Sequence, residues 1–471
     1  MSGAADIIAD INPKALRVSM AVDFVPVDRD TPDLFPPSIQ DYLPEKHLAR
    51  FVVEIVDQLD LSHLVAAYAG TGSKPYHPAM LVALLFYGYA TGVFSSRKLA
   101  QASYDSIAFH FICANTHPDH RTIADFRKRF LGELEALFVE ILLIAQTMGL
   151  VKLGTVSLDG TKIKANASKH KALSWAHANR LEAQLQEEVA ELMHLAEQAD
   201  TQALPEQMEI PLELERREKR LEVIAAAKEE ISRRAQERFE REQAEYERKQ
   251  AKREAYEKET GKKARGKEPK APIPGPQAKD QVNLTDEESR IMPTSSGGFE
   301  QTYNAQAGVD IDTHLIVEEH VTQHTNDKQE VAPALESLEA LPEELGKVDT
   351  LLADTGYHSE ANIDCCEAAG VEPLMPSKRD GHNPPLAERF ADDPAPPKNP
   401  TPAKAMEHRL RTKAGKARYA KRKSTVETVF GIIKHVQGFR QFLLRGLRAV
   451  QGEWTLVCIG WNLKRLFVLK R

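Results

Sequence analysis

Near residue 150 the spacing of apolar side chains changes from helical to alternating, and this change of period constrains the fold more than any other feature. Upstream, EKHLARFVVEIVDQL, HPAMLVALLFYGYATG and TIADFRKRFLGELEALFVEILLIAQTMG repeat apolar residues at steps of three and four. The third opens on Thr122 and Asp125 at capping-box spacing and ends at Gly149, which predicts one long helix. SSRKLAQASYDSIAFHFIC reads as two short helices joined by a tight turn. Residues 44–150 are therefore expected to form a compact helical domain, preceded by an Asp- and Pro-rich extended arm over 1–43.

Downstream, TVSLDGTKIKA is a β-branched run, QTYNAQAGVDID and HLIVEEHVT read as paired strands, and VDTLLAD, SEANIDCCEAAG and VEPLMP read as strand, helix and strand. A further helix is expected near Val331–Ala340. The sum is a mixed sheet flanked by helices, an α/β fold of mixed α+β type, built from residues 151–175 and 296–471. Residues 176–295 interrupt it. There Leu181, Leu185, Val189, Leu192 and Leu195, then Leu221, Ile224, Ile231 and Phe239, recur at helical spacing on either side of Pro205 and Pro211. That pattern predicts two long antiparallel, coiled-coil-like helices, closed by the linker GKKARGKEPKAPIPGPQAK.

A length of 471 residues suits two or three domains. The four cysteines, Cys113, Cys365, Cys366 and Cys458, are too scattered for a disulfide framework or a zinc site, which points to a reducing cytoplasm. The longest apolar run, around Leu81–Phe94, falls short of the roughly 18–20 residues that span a bilayer, so no membrane partner is expected. The net charge of −7 conceals an asymmetry: residues 401–471 hold 17 Lys and Arg against 3 acids. Apolar periodicity through Val426, Phe430 and Ile433 makes this a folded basic surface for a polyanion, not a solubilising tail.

Three acids stand out. Asp159 in SLDG and Asp354 in LLADTGYHSE each follow an apolar strand-like run and precede a glycine within two positions, so each is expected at a strand end. Neighbouring strands lie about 4.8 Å apart, close enough for two such carboxylates to share a divalent ion. A simple turn aspartate has the same local sequence. Glu427, in RKSTVETVFGIIKHVQGF, is a lone acid among bases and shares a helical face with Lys423 and Lys434. It reads either as an intrahelical partner of Lys423 or as a third metal ligand.

In order and content these blocks resemble the DDE transposases of bacterial insertion sequences. YHPAMLVALLFYGYATGVFSSRKLA and HRTIADFRKRF look like their helical DNA-binding domain. SLDGTKIKANAS, VNLTDEESRIMPTSSGGFEQTYNAQAGVD, LLADTGYHSE and STVETVFGIIKH look like their catalytic blocks. The resemblance implies an RNase H-like sheet, with Asp159, Asp354 and Glu427 as catalytic, metal-binding acids. It also implies two Mg²⁺ ions, replaceable by Mn²⁺, and cleavage followed by strand transfer between terminal inverted repeats and target DNA, by a homodimer or larger assembly. Tyr419, Arg422 and Lys434 match the family's Tyr-Arg-Glu-Lys signature. Four residues separate Arg422 from Glu427 where the signature has three, so Arg422 or Lys423 takes the arginine's place.

Further DNA contacts are expected from Arg121, Arg127, Lys128 and Arg129, unless these form a solvated helix face. Trp175, Trp454 and Trp461 read as base-stacking or, more simply for the last two, core residues. His314, His320 and His324 are expected at the surface or beside phosphate; the resemblance implies a place near the site for Asn326 and Asp327, which a helix N-cap would explain equally. The competing functions are a metal-dependent nuclease without joining activity and an inactive DNA-binding protein.

Overall fold

A computed structural model describes residues 38–68, 75–199, 210–264, 266–294, 297–378 and 392–470. The expected arm up to residue 37 and residues 379–391 of the Pro-rich loop lie outside the described residues.

The helical region holds α1 (Ile39–Tyr42), α2 (Leu48–Val56), α3 (Ser62–Ala66), α4 (Pro78–Thr91), α5 (Ser96–Asp105), α6 (Ile107–Ile112), α7 (His120–Arg129) and α8 (Leu134–Thr147). α4 starts where Pro78 follows the capping side chain of His77, and every residue from Leu81 to Ala90 is buried. The single long helix expected after Thr122 is two. Asp119 caps α7 by accepting from the Arg121 amide, and a 3-10 turn, Leu131–Glu133, separates it from α8. Gly132 sits in that turn, where a glycine costs a continuous helix about 1 kcal/mol.

The strands are β1 (Leu153–Lys164), β2 (Ala172–Ser174), β3 (Gln281–Asn283), β4 (Arg290–Pro293), β5 (Phe299–Asp310), β6 (Ile316–Thr322), β7 (Gly346–Leu352) and β8 (Glu372–Leu374). The main sheet runs β5, β1, β7, β8, with β4 and β6 also paired to β5. β1, β7 and β8 are parallel neighbours and the β5 pairings are antiparallel, the mixed RNase H-like order. The insertion helices α9 (Trp175–Ala199) and α10 (Ile210–Thr260) pack on each other around Leu185, Ile224 and Ile231, rooted by the small β2–β3 pair. Trp175 belongs to that packing, under the Lys228 ammonium.

The remaining helices are α11 (Val331–Glu339), α12 (Glu360–Ala368), α13 (Pro402–Arg411), α14 (Lys413–Gly431) and α15 (Leu447–Leu469). α15 packs on α4, α8 and β6, so helical region and sheet share one core. Trp454 and Trp461 are core residues whose indoles donate to the Gln306 and His314 carbonyls at 2.9 and 2.8 Å. Glu453 of α15 accepts from the Tyr89 hydroxyl at 3.1 Å, and Arg127 donates to the same hydroxyl at 3.1 Å. No single described helix is long and apolar enough to cross a membrane.

Candidate active site

β5 pairs with β1 from Val156 to Lys164, so Asp159 lies inside a strand and not at its end as expected. On the other side β7 pairs only as far as Leu352, opposite Ser157. Asp354 stands two residues beyond Leu352, as Asp159 stands two beyond Ser157, so parallel register brings the acids to matching heights. α14 crosses β1 and β5 and brings Glu427 to the same place.

Arg422 joins the two ends of this arrangement. Its guanidinium donates to Asp159 Oδ2 at 3.0 Å and to Glu427 Oε1 at 2.8 Å. Burial pushes the Asp159 carboxyl up to about 6, with Arg422 opposing and the Asp354 charge adding to the rise. Asp354 Oδ1 accepts from the Gly356 amide at 2.6 Å, and among the described residues no ion pair reaches it.

The basic residues sort by position. Of the two candidates for the signature arginine, Arg422 faces the acids, whereas Lys423 is exposed and Glu427 pairs with Arg422. α14 passes into a π-helical turn, Ile432–Val436, which directs Lys434 Nζ to the Lys162 carbonyl at 3.0 Å. Burial pulls the Lys434 ammonium down to about 8. Arg121, Lys128 and Arg129 are exposed on α7. Arg127 is a correction: it is buried and turned inward, held by Tyr89 and the Phe94 carbonyl, and is no part of the exposed face of α7.

The histidines also depart from expectation. His320 lies between Glu318 at 2.6 Å and Glu330 at 3.0 Å, and His324 meets Glu330 at 2.7 Å. Burial by itself lowers the His320 pKa, but the two carboxylates raise it to about 10.

Four residues not singled out from the sequence complete the surroundings: Lys162, Asn304, Gln306 and Tyr357. Asp327 Oδ1 accepts from Asn304 at 2.7 Å and Gln306 at 2.9 Å, with Lys162 Nζ at 3.6 Å. The Tyr357 hydroxyl donates to Gln306. The signal was alternate polar residues in TYNAQAG, inside a strand that is buried from Gln301 to Asp310.

As placed, no three acidic, histidine or cysteine side chains among the described residues form a metal cage. Arg422 stands where a cation would, and the donors around it are carboxylate oxygens of the kind Mg²⁺ takes. The carboxylate chemistry of Asp159, Asp354 and Glu427 suits a divalent cation, while Arg422 occupies the place between Asp159 and Glu427.

A family model described as a transposase domain (DUF772) matches residues 37–129, and one described as a transposase DDE domain matches residues 269–463. Together they cover more than half of the chain; the second includes Asp354 and Glu427 and begins after Asp159. No curated protein and no solved structure matches.

Proposed function

The chain belongs to the DDE transposases of insertion sequences, and from that premise we propose that it cuts DNA at its element's ends and joins them to target DNA, with Asp159, Asp354 and Glu427 as the catalytic acids. The observation that supports this most is Arg422 spanning Asp159 and Glu427 beside the strand register that levels Asp159 with Asp354. Bound divalent cations, two Mg²⁺ with Mn²⁺ as a substitute, activate the attacking oxygen and stabilise the departing one. Asp159, Asp354 and Glu427 would hold these ions through their carboxylate oxygens.

Arg422, released from its acids, offers two parallel donors to a phosphate. Tyr419 orients it, and Lys434, Lys423, Arg121 and Lys128 add phosphate contacts that weaken with salt. Water as nucleophile nicks an end, and the freed 3′-hydroxyl attacks the target; both are hydroxyl-type oxygens, so one site serves both steps. Two ends must be joined together, which favours a homodimer or larger assembly on terminal inverted repeats, acting in the cytoplasm. The test is the purified chain with labelled end DNA, with and without Mg²⁺. Joined products only with Mg²⁺ are expected; nicks alone would reduce the protein to a nuclease, and binding alone to an inactive DNA-binding protein.

A further inference from the structure

Asp327 has no part in that reading, yet the chain is shaped around its carboxylate. A Cβ on Gly160, the residue after Asp159, would lie 2.7 Å from Asp327 Oδ1 and would also strike Gln306. A Cβ on Gly356, two residues after Asp354, would lie 3.7 Å from Asp327 Oδ2 and 2.8 Å from Asp354 Oδ1. Neither glycine has a left-handed φ, so backbone freedom does not explain them. Gly160 leaves the room that Asp327 fills, and the open position at Gly356 has Asp354 Oδ1 on one side and Asp327 Oδ2 at ordinary contact distance on the other.

Asn304 supplies an independent observation. It is fully buried, and its Oδ1, 2.9 Å from the same Gly160 Cβ position, has no hydrogen-bond partner. A buried acceptor without a donor costs about 1–3 kcal/mol. The hydration shell of a cation held by Asp354 brings such donors, and outer carboxylates and carbonyls commonly fix that shell.

We propose that Asp327 is a fourth acid of the site, a positioning residue whose charge beside Asp354 strengthens cation binding through the ion's hydration shell, not as a direct ligand. The proposal rests on the reading of Asp159, Asp354 and Glu427 as cation ligands. Lys162, 3.6 Å from Asp327 Oδ1, is the internal cation that competes for the same charge. A mere brace between β5 and the loop after β6 would need the hydrogen bonds of Asp327 but not its charge.

The test is titration of the full chain with Mn²⁺ alone, following the free ion by electron paramagnetic resonance. Asp327→Asn keeps shape and an acceptor oxygen but removes the charge; it should weaken Mn²⁺ binding about tenfold with an unchanged unfolding midpoint. Lys162→Gln should tighten binding by about threefold, as loss of a nearby competing charge requires. Asp354→Asn, the control, should lose binding at the site. If Asp354→Asn loses binding while Asp327→Asn matches the native protein, Asp327 is a brace and the proposal fails, with the cation site intact. If Asp354→Asn also binds normally, the cation reading fails and takes the proposal with it. Should Asp327→Asn not fold, Lys162→Gln decides, and unchanged affinity there overturns the proposal.

Discussion

On β6 and the turn that follows it, Glu318 and Glu330 each hold a histidine within 3.0 Å, and His320 is shared between them. Two strands across the same sheet, Asp159 and Glu427 share one guanidinium, and Asp354 has no ion-pair partner among the described residues. Taking a carboxylate out of water costs several kcal/mol unless an opposite charge meets it. The first group meets that cost with its own histidines and serves as a brace between β6 and the start of α11. In the second, half-buried Asp354 has no ion pair among the described residues, and Asp159 and the exposed Glu427 share the buried Arg422. The second group is the one we propose a cation completes.

The largest expected effect separates the two groups by chemistry. Asp159→Asn should lower strand transfer by about a thousandfold, several kcal/mol at 1.4 kcal/mol per decade, while end-DNA binding persists in a gel-shift assay. Equal loss of joining and binding in a folded variant would make Asp159 a brace like Glu330. The converse substitution, His320→Gln, leaves Glu318 and Glu330 facing each other without their shared cation. It should cost about 3 kcal/mol in urea unfolding and leave Mn²⁺ affinity unchanged; altered affinity would show the groups to be coupled.

The pH dependence of stability sharpens the same contrast. Folded His320 titrates near 10, against an ordinary histidine value near 6.5, so the folded state binds its proton more tightly. The stabilisation is complete below about pH 6.5 and is lost as pH rises through 10. The urea midpoint should therefore decline across that window, and His320→Gln should flatten the decline; the same slope in both proteins would contradict the assignment. The smallest effect is at exposed Lys423. Lys423→Ala should reduce the salt slope of end binding by about one, with no change in Mn²⁺ affinity; an unchanged slope would take it out of the DNA contacts.

What the sequence disclosed, and what it hid, follows the range of the interactions. Period and punctuation are local, so the strand that carries Asp159, the strand before Asp354, the α9–α10 pair and the helices α11 and α12 are all legible. The extent of β1 past Asp159 is not, because its partner β5 lies some 150 residues away and the Asp-Gly pair looks like a turn. Arg127 sits in a basic run that reads as surface, and only the distant Tyr89 and Phe94 turn it inward. Arg422 and Lys423 differ by one helical step of about 100°, and it is Arg422 that reaches Asp159, 263 residues away in the chain. The resemblance points to Asp327 only loosely, because its hydrogen bonds to Asn304 and Gln306 depend on sheet register.

The most direct measurement of whether the three acids grip divalent ions is the anomalous diffraction of Mn²⁺ in crystals of the full chain bound to end DNA. The expected result is Mn²⁺ within about 2.2 Å of carboxylate oxygens from Asp159, Asp354 and Glu427, with Arg422 turned from Asp159 to a phosphate. Mn²⁺ bound elsewhere, with Arg422 still clamped between Asp159 and Glu427 over the bound DNA, would contradict it.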